Sequence, residues 1–412
     1  MDAPEGVRTA PAATTVAAES MVQKYLGRKG MVAYLGALTI FPFLSTDLYL
    51  PALPGMTSYF GVAEYLTNLT LISFFVVLAL AALVWGPLSD RYGRRPVLLV
   101  GLTMYAVAGA LCAVSSDVYQ LIGFRILQAL GAASAGGTAT AIVKDMYHGR
   151  RREVIIAAIQ SIIVLSPAIA PMIGALILRF TSWRGTFAAQ AIFGLLALLG
   201  TVAFQETIAE RLTGHPLRSL KRLGVVLRNR TFDYYLINFS LLGIPAMAFV
   251  ASSSYIYEET FGVSSQVFSY FFAVYAVSLA VGSQIYVRVS LWAARDPIIW
   301  GCLAISTVSG ALLLFLGHLG PWIFMICLVP SQMAFMCMRP PAVYLMLAQH
   351  DQDSGSVAAV MGSTHTVLAS AGMVIVSLSL WGRVEMVGLL MLVLGVASLA
   401  MWMFRPRRAK VS

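Results

Sequence analysis

Asp47 and Arg125 both stand inside long apolar runs, where a charged side chain costs about 2.5 to 3.5 kcal/mol even on the lenient insertion scale. A carboxylate can carry a proton: burial favours its neutral form, and a nearby guanidinium favours the ionised one. Arginine keeps its proton at any working pH. Asp47 is therefore the candidate proton carrier, and Arg125 the group that tunes it or orients a hydrogen-bond network. The structural alternative is a permanent Asp47 to Arg125 ion pair, or local bonding of Asp47 beside Pro51. Little else in the chain has the spacing for chemistry. The five histidines are scattered, and Cys112, Cys302, Cys327 and Cys337 lie in apolar segments without metal or redox spacing. There is no Gly-rich phosphate cradle and no nucleophile with its base. Neither an enzyme nor a cofactor or metal is expected.

The elements that hold these two charges follow from composition. A chain of 412 residues that is 59% hydrophobic and 11% charged, with a mean hydropathy of +0.80, is too apolar for a soluble domain. Twelve continuous runs of about 20 apolar residues match the length a helix needs to cross a bilayer, the first near 31–50 and the last near 385–404. The expected fold is all-α and polytopic, twelve transmembrane helices in two six-helix bundles. Residues 1–29 read as a disordered cytoplasmic tail, 30–204 as the first bundle, 205–231 as a basic cytoplasmic linker, 232–404 as the second bundle and 405–412 as a cytoplasmic tail.

Charge sets the expected orientation. Of the 28 Lys and Arg residues, all but Arg125, Arg179, Arg184, Arg339 and Arg383 fall on one side of this topology, which places both termini in the cytoplasm. The net charge of +10 is spread over loops without an aromatic-basic platform, so nucleic acid is not an expected partner. The expected partners are a lipid bilayer, protons and a small-molecule cargo, with the chain acting as a monomer.

Three further stretches stand out. Gly86-Pro-Leu-Ser-Asp-Arg-Tyr-Gly-Arg-Arg-Pro96 follows the second run: Gly86 permits close helix approach, Asp90 offers a charge to Arg94 or a neighbouring helix, Gly93 supplies a turn and Pro96 suits a first helical turn. Pro167, Pro171 and Gly174 interrupt the fifth run, and read either as a hinge or as a static kink that packs. Arg339-Pro340-Pro341 breaks the tenth run; Arg339 reads as snorkelling to the cytoplasmic end, with a cargo or gating contact as the alternative. His365 reads as a packing histidine, and Tyr255, Tyr257, Glu258 and Glu259 as an outer aromatic and acidic rim.

The Gly86 to Pro96 segment resembles the signature loop of the major facilitator superfamily. Leu121, Arg125, Gln128, Gly131, Ala132 and Ala133 resemble the intramembrane-arginine motif of its drug:proton antiporters, with Ala129 where that motif usually has glycine. Pro167, Ala170-Pro171 and Gly174-Ala175 are similar to the antiporter motif of the fifth helix, with alanine for two glycines. LYLPALP, Leu48 to Pro54, looks like the end of helix 1 in the Bcr/CflA group, and Trp183-Arg184, Phe187 and Glu206-Thr207 share that group's spacing. The resemblance implies a rocking two-bundle transporter in a bacterial inner membrane, exporting small amphipathic compounds or chloramphenicol-like or bicyclomycin-like antibiotics against protons. It implies conformational control by Gly86, Asp90, Arg91, Gly93, Arg94 and Arg95. Export of an endogenous metabolite, or a non-transporting receptor or scaffold on the same fold, are the alternatives.

Overall fold

The computed structural model describes residues 23–208, 224, 226–349, 354–378 and 381–405; most of the N-terminal tail, the middle of the linker and most of the C-terminal tail lie outside them. Among the described residues twelve helices are long and apolar enough to cross a membrane: α1 (Gly27–Phe60), α2 (Glu64–Tyr92), α3 (Arg94–Val114), α4 (Val118–Met146), α5 (Gly149–Phe180), α6 (Trp183–Ala203), α7 (Arg230–Thr260), α8 (Ser265–Val289), α9 (Arg295–Leu319), α10 (Pro321–Leu347), α11 (Val357–Ser377) and α12 (Arg383–Met403). An even number of crossings leaves the start of α1 at Gly27 and the end of α12 at Met403 on one face, called here the terminal face.

Without a hydrophobic force between helices in lipid, close packing holds such bundles together. A Cβ at Gly131 of α4 would lie 2.6 Å from the Tyr105 amide nitrogen of α3; the crossing exists because no side chain is there. Around it Leu35, Phe41, Phe74, Leu102 and Ala132 form the core of the first bundle. Phe232, Ile299, Leu303, Met338 and Trp402 do the same for the second.

These two cores stay separate toward the terminal face. Toward the opposite face they give way to one shared core, in which Tyr49, Leu53 and Met56 of α1 and Trp183 of α6 pack with Phe249 and Ile256 of α7 and Phe324 of α10. The bundles thus share a core at one end and keep separate cores at the other, with Ser363 of α11 donating to the Ala79 carbonyl of α2 at 2.8 Å between them. Tyr255 and Tyr257 belong to this core and are fully buried, so the expected outer aromatic rim is internal: Tyr255 meets Thr57 of α1 and Tyr257 stacks on Phe271 within the second bundle.

α1 departs from its expected end near residue 50. Its first α-helical segment, Gly27–Asp47, gives way to a 3-10 turn over Leu50–Ala52 and then a further helix, Leu53–Phe60. Pro51 and Pro54 each lie in the first turn of the segment that follows the break, where a missing amide donor costs nothing. LYLPALP is therefore a step inside α1. The step is packed on α5, where a Cβ at Gly174 would collide with the Leu48 carbonyl. α5 itself runs unbroken through Pro167 and Pro171.

Candidate functional site

Arg125 is fully buried and does not pair with Asp47. Its Nη1 donates to the Ser45 carbonyl at 3.1 Å and to Gln128 Oε1 at 2.7 Å, and its Nε to the Thr70 carbonyl at 3.3 Å. The guanidinium packs 4.1 Å from the Phe74 ring centroid and 4.7 Å from that of Tyr49, a cation-π arrangement that offsets part of its desolvation. Gln128 passes the network on to Gln190 of α6 at 3.0 Å, and Ser45 Oγ lies 2.7 Å from the Tyr105 hydroxyl. Arg125 thereby ties α1, α2, α4 and α6 together.

Asp47 looks the other way. Residues two apart on a helix face opposite sides, so the turn that gives the Ser45 carbonyl to Arg125 turns Asp47 toward the second bundle. Its Oδ1 accepts from Thr46 Oγ1 at 3.1 Å, while Oδ2 is buried without a partner. The Tyr275 phenol of α8 lies within Coulombic range of the carboxylate. The ion-pair alternative is thus not realised: a buried carboxylate without a counter-ion sits at the break in α1, against the other half.

The Gly86 to Pro96 loop is bolted within the first bundle. Arg94 donates to Asp90, to Ser89 at 2.7 Å and to Asp145 of α4 at 3.0 Å. The Glu206 carboxylate accepts from the Arg94 and Arg95 amides at 3.0 Å each, so it caps the start of α3, where free amides and the helix dipole favour an anion. Gly93 has φ of +106°, and a Cβ there would press on that carboxylate, 3.2 Å from its Cδ. Arg95 donates to the Val202 carbonyl at 2.7 Å, and Arg91 lies over the Tyr92 ring. A Cβ at Gly86 would meet open space, so the close approach expected there is absent in this conformation. Because the Asp90 side chain is 38% exposed and Arg94 keeps Asp145, Asp90→Asn is expected to cost no more than about 1 kcal/mol of stability while slowing transport. A purified Asp90→Asn protein that transports at the wild-type rate would contradict a gating role.

At the opposite face polar contacts cross between the halves. Arg383 of α12 bridges Glu64 of α2 at 2.9 Å and Glu259 of α7 at 2.7 Å. Thr57 Oγ1 lies 2.8 Å from the Tyr255 hydroxyl, and Asn68 donates to Ser377 Oγ at 2.8 Å. No motif singles out Glu64, Glu259 or Arg383 in the sequence; the one available signal is that Arg383 breaks the charge asymmetry of the loops. Arg383→Ala is expected to favour separation of this face by about 1 to 3 kcal/mol, the usual size of such couplings. The check is the rate at which an impermeant thiol reagent labels a cysteine placed at Thr57; an unchanged rate rules the latch out.

The terminal side holds space instead. A cleft of about 580 Å³ lies between the bundles, lined by Phe43, Gln160 and Pro167 on one side and Leu279, Ser283 and Arg339 on the other. Phe43 is one turn before Asp47, so the carboxylate sits beside the cleft. A second cavity of about 230 Å³ opens within the second bundle among α7, α10 and α11, and Arg339 and His365 both line it. Arg339 stands about two turns before the end of α10 at Leu347, with its exposed side chain lining both spaces. His365 stacks on Phe335 with ring centroids 6.0 Å apart, and it packs on one side while facing the cavity on the other.

Comparison with known proteins agrees with this architecture. A model of the Major Facilitator Superfamily matches residues 35–376. The uncharacterized MFS-type transporter YdgK of Bacillus subtilis is 27% identical over 380 residues, 90% of this chain and 94% of its own. A chloramphenicol resistance protein of Pseudomonas aeruginosa is 31% identical over 288 residues, 69% of this chain and 67% of its own. Among solved structures, a peptide transporter POT in complex with sulfate superposes with a TM-score of 0.74 at 15% identity, over 93% of this chain and 96% of that one.

Proposed function

The chain belongs to the major facilitator superfamily, and from that premise we propose that it is a proton-coupled antiporter of the inner membrane, exporting small amphipathic compounds of the chloramphenicol or bicyclomycin kind by alternating access. The observation that carries this reading is Asp47: a buried carboxylate, one oxygen without a partner, at the break in α1 and against the opposing bundle. Ionised, it is costly in that place; protonated, it is not. Movement that admits water to Asp47 therefore exchanges its proton, and movement that seals it favours the neutral acid. Resistance proteins among the relatives support the cargo class.

In this reading the terminal face is cytoplasmic and the conformation faces inward. Cargo enters the cleft between the halves, the bodies 30–204 and 232–404 rock about the shared core, and the Arg383 bridges part as the cleft closes. α5, with Pro167, Pro171 and Gly174 against the α1 break, is the element that passes the motion to Asp47. The Asp90 and Arg94 loop sets how readily the terminal side closes.

Two measurements test the reading. Cells lacking their own efflux pumps, given this protein, should accumulate less of at least one antibiotic or fluorescent amphiphile, and a protonophore should abolish the difference; no energised difference across a broad panel would favour a metabolite exporter or a scaffold. For orientation, all four native cysteines are buried, so a cysteine placed at exposed Ser290 reports cleanly. Labelling of that site by an impermeant thiol reagent added to intact cells would place the terminal face outside and sink the assignment.

A further inference from the structure

Arg125, Arg94 and Arg383 each donate to named acceptors in the protein. Arg339 does not: among the described residues it has no hydrogen-bond or ion-pair partner, and it stands between the two cavities, lining both. No Asp or Glu lines either one. The Arg339 side chain is exposed to that space: no protein group answers the charge, and when the space closes around it a bound anion offsets the penalty of an unpaired charge.

The surroundings say what would fit. A guanidinium presents donors in a rigid fork that matches a carboxylate or sulfonate with two parallel bonds, stronger where water is scarce. His365, its ring held by the stack on Phe335, stands on the same cavity wall and within Coulombic range of Arg339. The rest of that wall is apolar, with Leu236, Phe239, Met338 and Met361, and the adjoining cleft adds about 580 Å³ for the body of a ligand. Apolar walls with a few converging polar groups are the usual form of a small-molecule site.

We propose that Arg339, with His365 beside it, is the head-group site for amphipathic anions: molecules with one carboxylate or sulfonate on an aromatic or aliphatic body. As a statement about cargo, this rests on the exporter reading; as a statement about binding, it stands without it. The same chemistry would be offered by a soluble compound or by an anionic lipid entering from the bilayer.

The test is equilibrium dialysis of the full chain in phosphatidylcholine nanodiscs against matched pairs: indole-3-acetate with indole-3-acetamide, naphthalene-1-sulfonate with its sulfonamide, and decanoate with decanamide. Wild type should bind at least one anion about tenfold or more tighter than its amide, about 1.4 kcal/mol. The difference should vanish in Arg339→Gln and persist in Arg339→Lys, and His365→Ala should weaken the anion more than the amide. Equal binding of anion and amide by wild type, or no binding by any member, overturns the proposal without recourse to a variant; an undiminished preference in Arg339→Gln does so too. Phosphatidylglycerol in the nanodisc that displaces the bound anion identifies a lipid head group as the resident, and failure to displace it identifies a soluble ligand. Anion binding with no energised efflux would sink the exporter reading and keep the site; efflux with no anion preference would do the reverse.

Discussion

Reconstituted Asp47→Asn protein should bind cargo and exchange it across the membrane, yet fail to accumulate it when a pH gradient is imposed, its internal to external ratio settling at the equilibrium value. The substitution keeps the shape and the acceptor that takes the Thr46 hydroxyl and removes only the titration. No salt bridge is broken, because Asp47 has none among the described residues, so the variant should fold. This is the largest functional effect expected of a single atom exchange in the chain: a carrier that still alternates but no longer carries the proton has lost its driving force and not its pathway. The measurement is cargo uptake into proteoliposomes with and without the gradient. Full gradient-driven accumulation by Asp47→Asn would sink the assignment of the proton to Asp47, and a variant that unfolds would make the carboxylate a structural element.

Much of this site is legible in the amino-acid sequence, and the limits are physical. Helical periodicity already puts Ser45 and Asp47 on opposite sides of the first segment of α1, although that regularity stops at Asp47. Which side faces which bundle is not legible, because both bundles offer apolar surface and α1 borders each. The prolines at 51 and 54 read as a stop through their missing donors; the chain instead restarts a helix at each, where the missing donor is harmless. Arg383, Glu64 and Glu259 stand far apart in sequence, and no local pattern brings such residues together. Arg339 is ambiguous for a simpler reason: the two spaces it lines are built from other helices, which the pattern along α10 does not name.

Arg125→Ala should be strongly destabilising, by about 2 to 5 kcal/mol, through the cavity left by a large, fully buried side chain and the acceptors it leaves unmatched. The reason lies at the α1 break. The first segment of α1 ends at Asp47, so the Ser45 carbonyl falls in its last turn, where carbonyls lack donors from their own helix. Arg125 Nη1 supplies that donor while its Nε holds the Thr70 carbonyl of α2 and Gln128 closes the link to α6. Truncation leaves the Ser45 carbonyl and Gln128 Oε1 without this donor in a place water does not reach, at about 1 to 3 kcal/mol for each buried group left unsatisfied, while the Thr70 carbonyl, inside α2, keeps its own helical amide. Arg125→Lys should recover part of the loss, since an ammonium can meet one or two of these acceptors but lacks the fork that spans them. Thermal unfolding of the two purified variants in detergent, beside wild type, separates these cases, and an Arg125→Ala protein that melts with wild type would refute the network's role. Because Ser45 and Asp47 are two residues apart on the same turn, a break loosened by Arg125→Ala also frees the carboxylate's position. Whatever Arg125→Ala protein survives purification should therefore leak cargo downhill with weakened dependence on the pH gradient, while Arg125→Lys stays coupled.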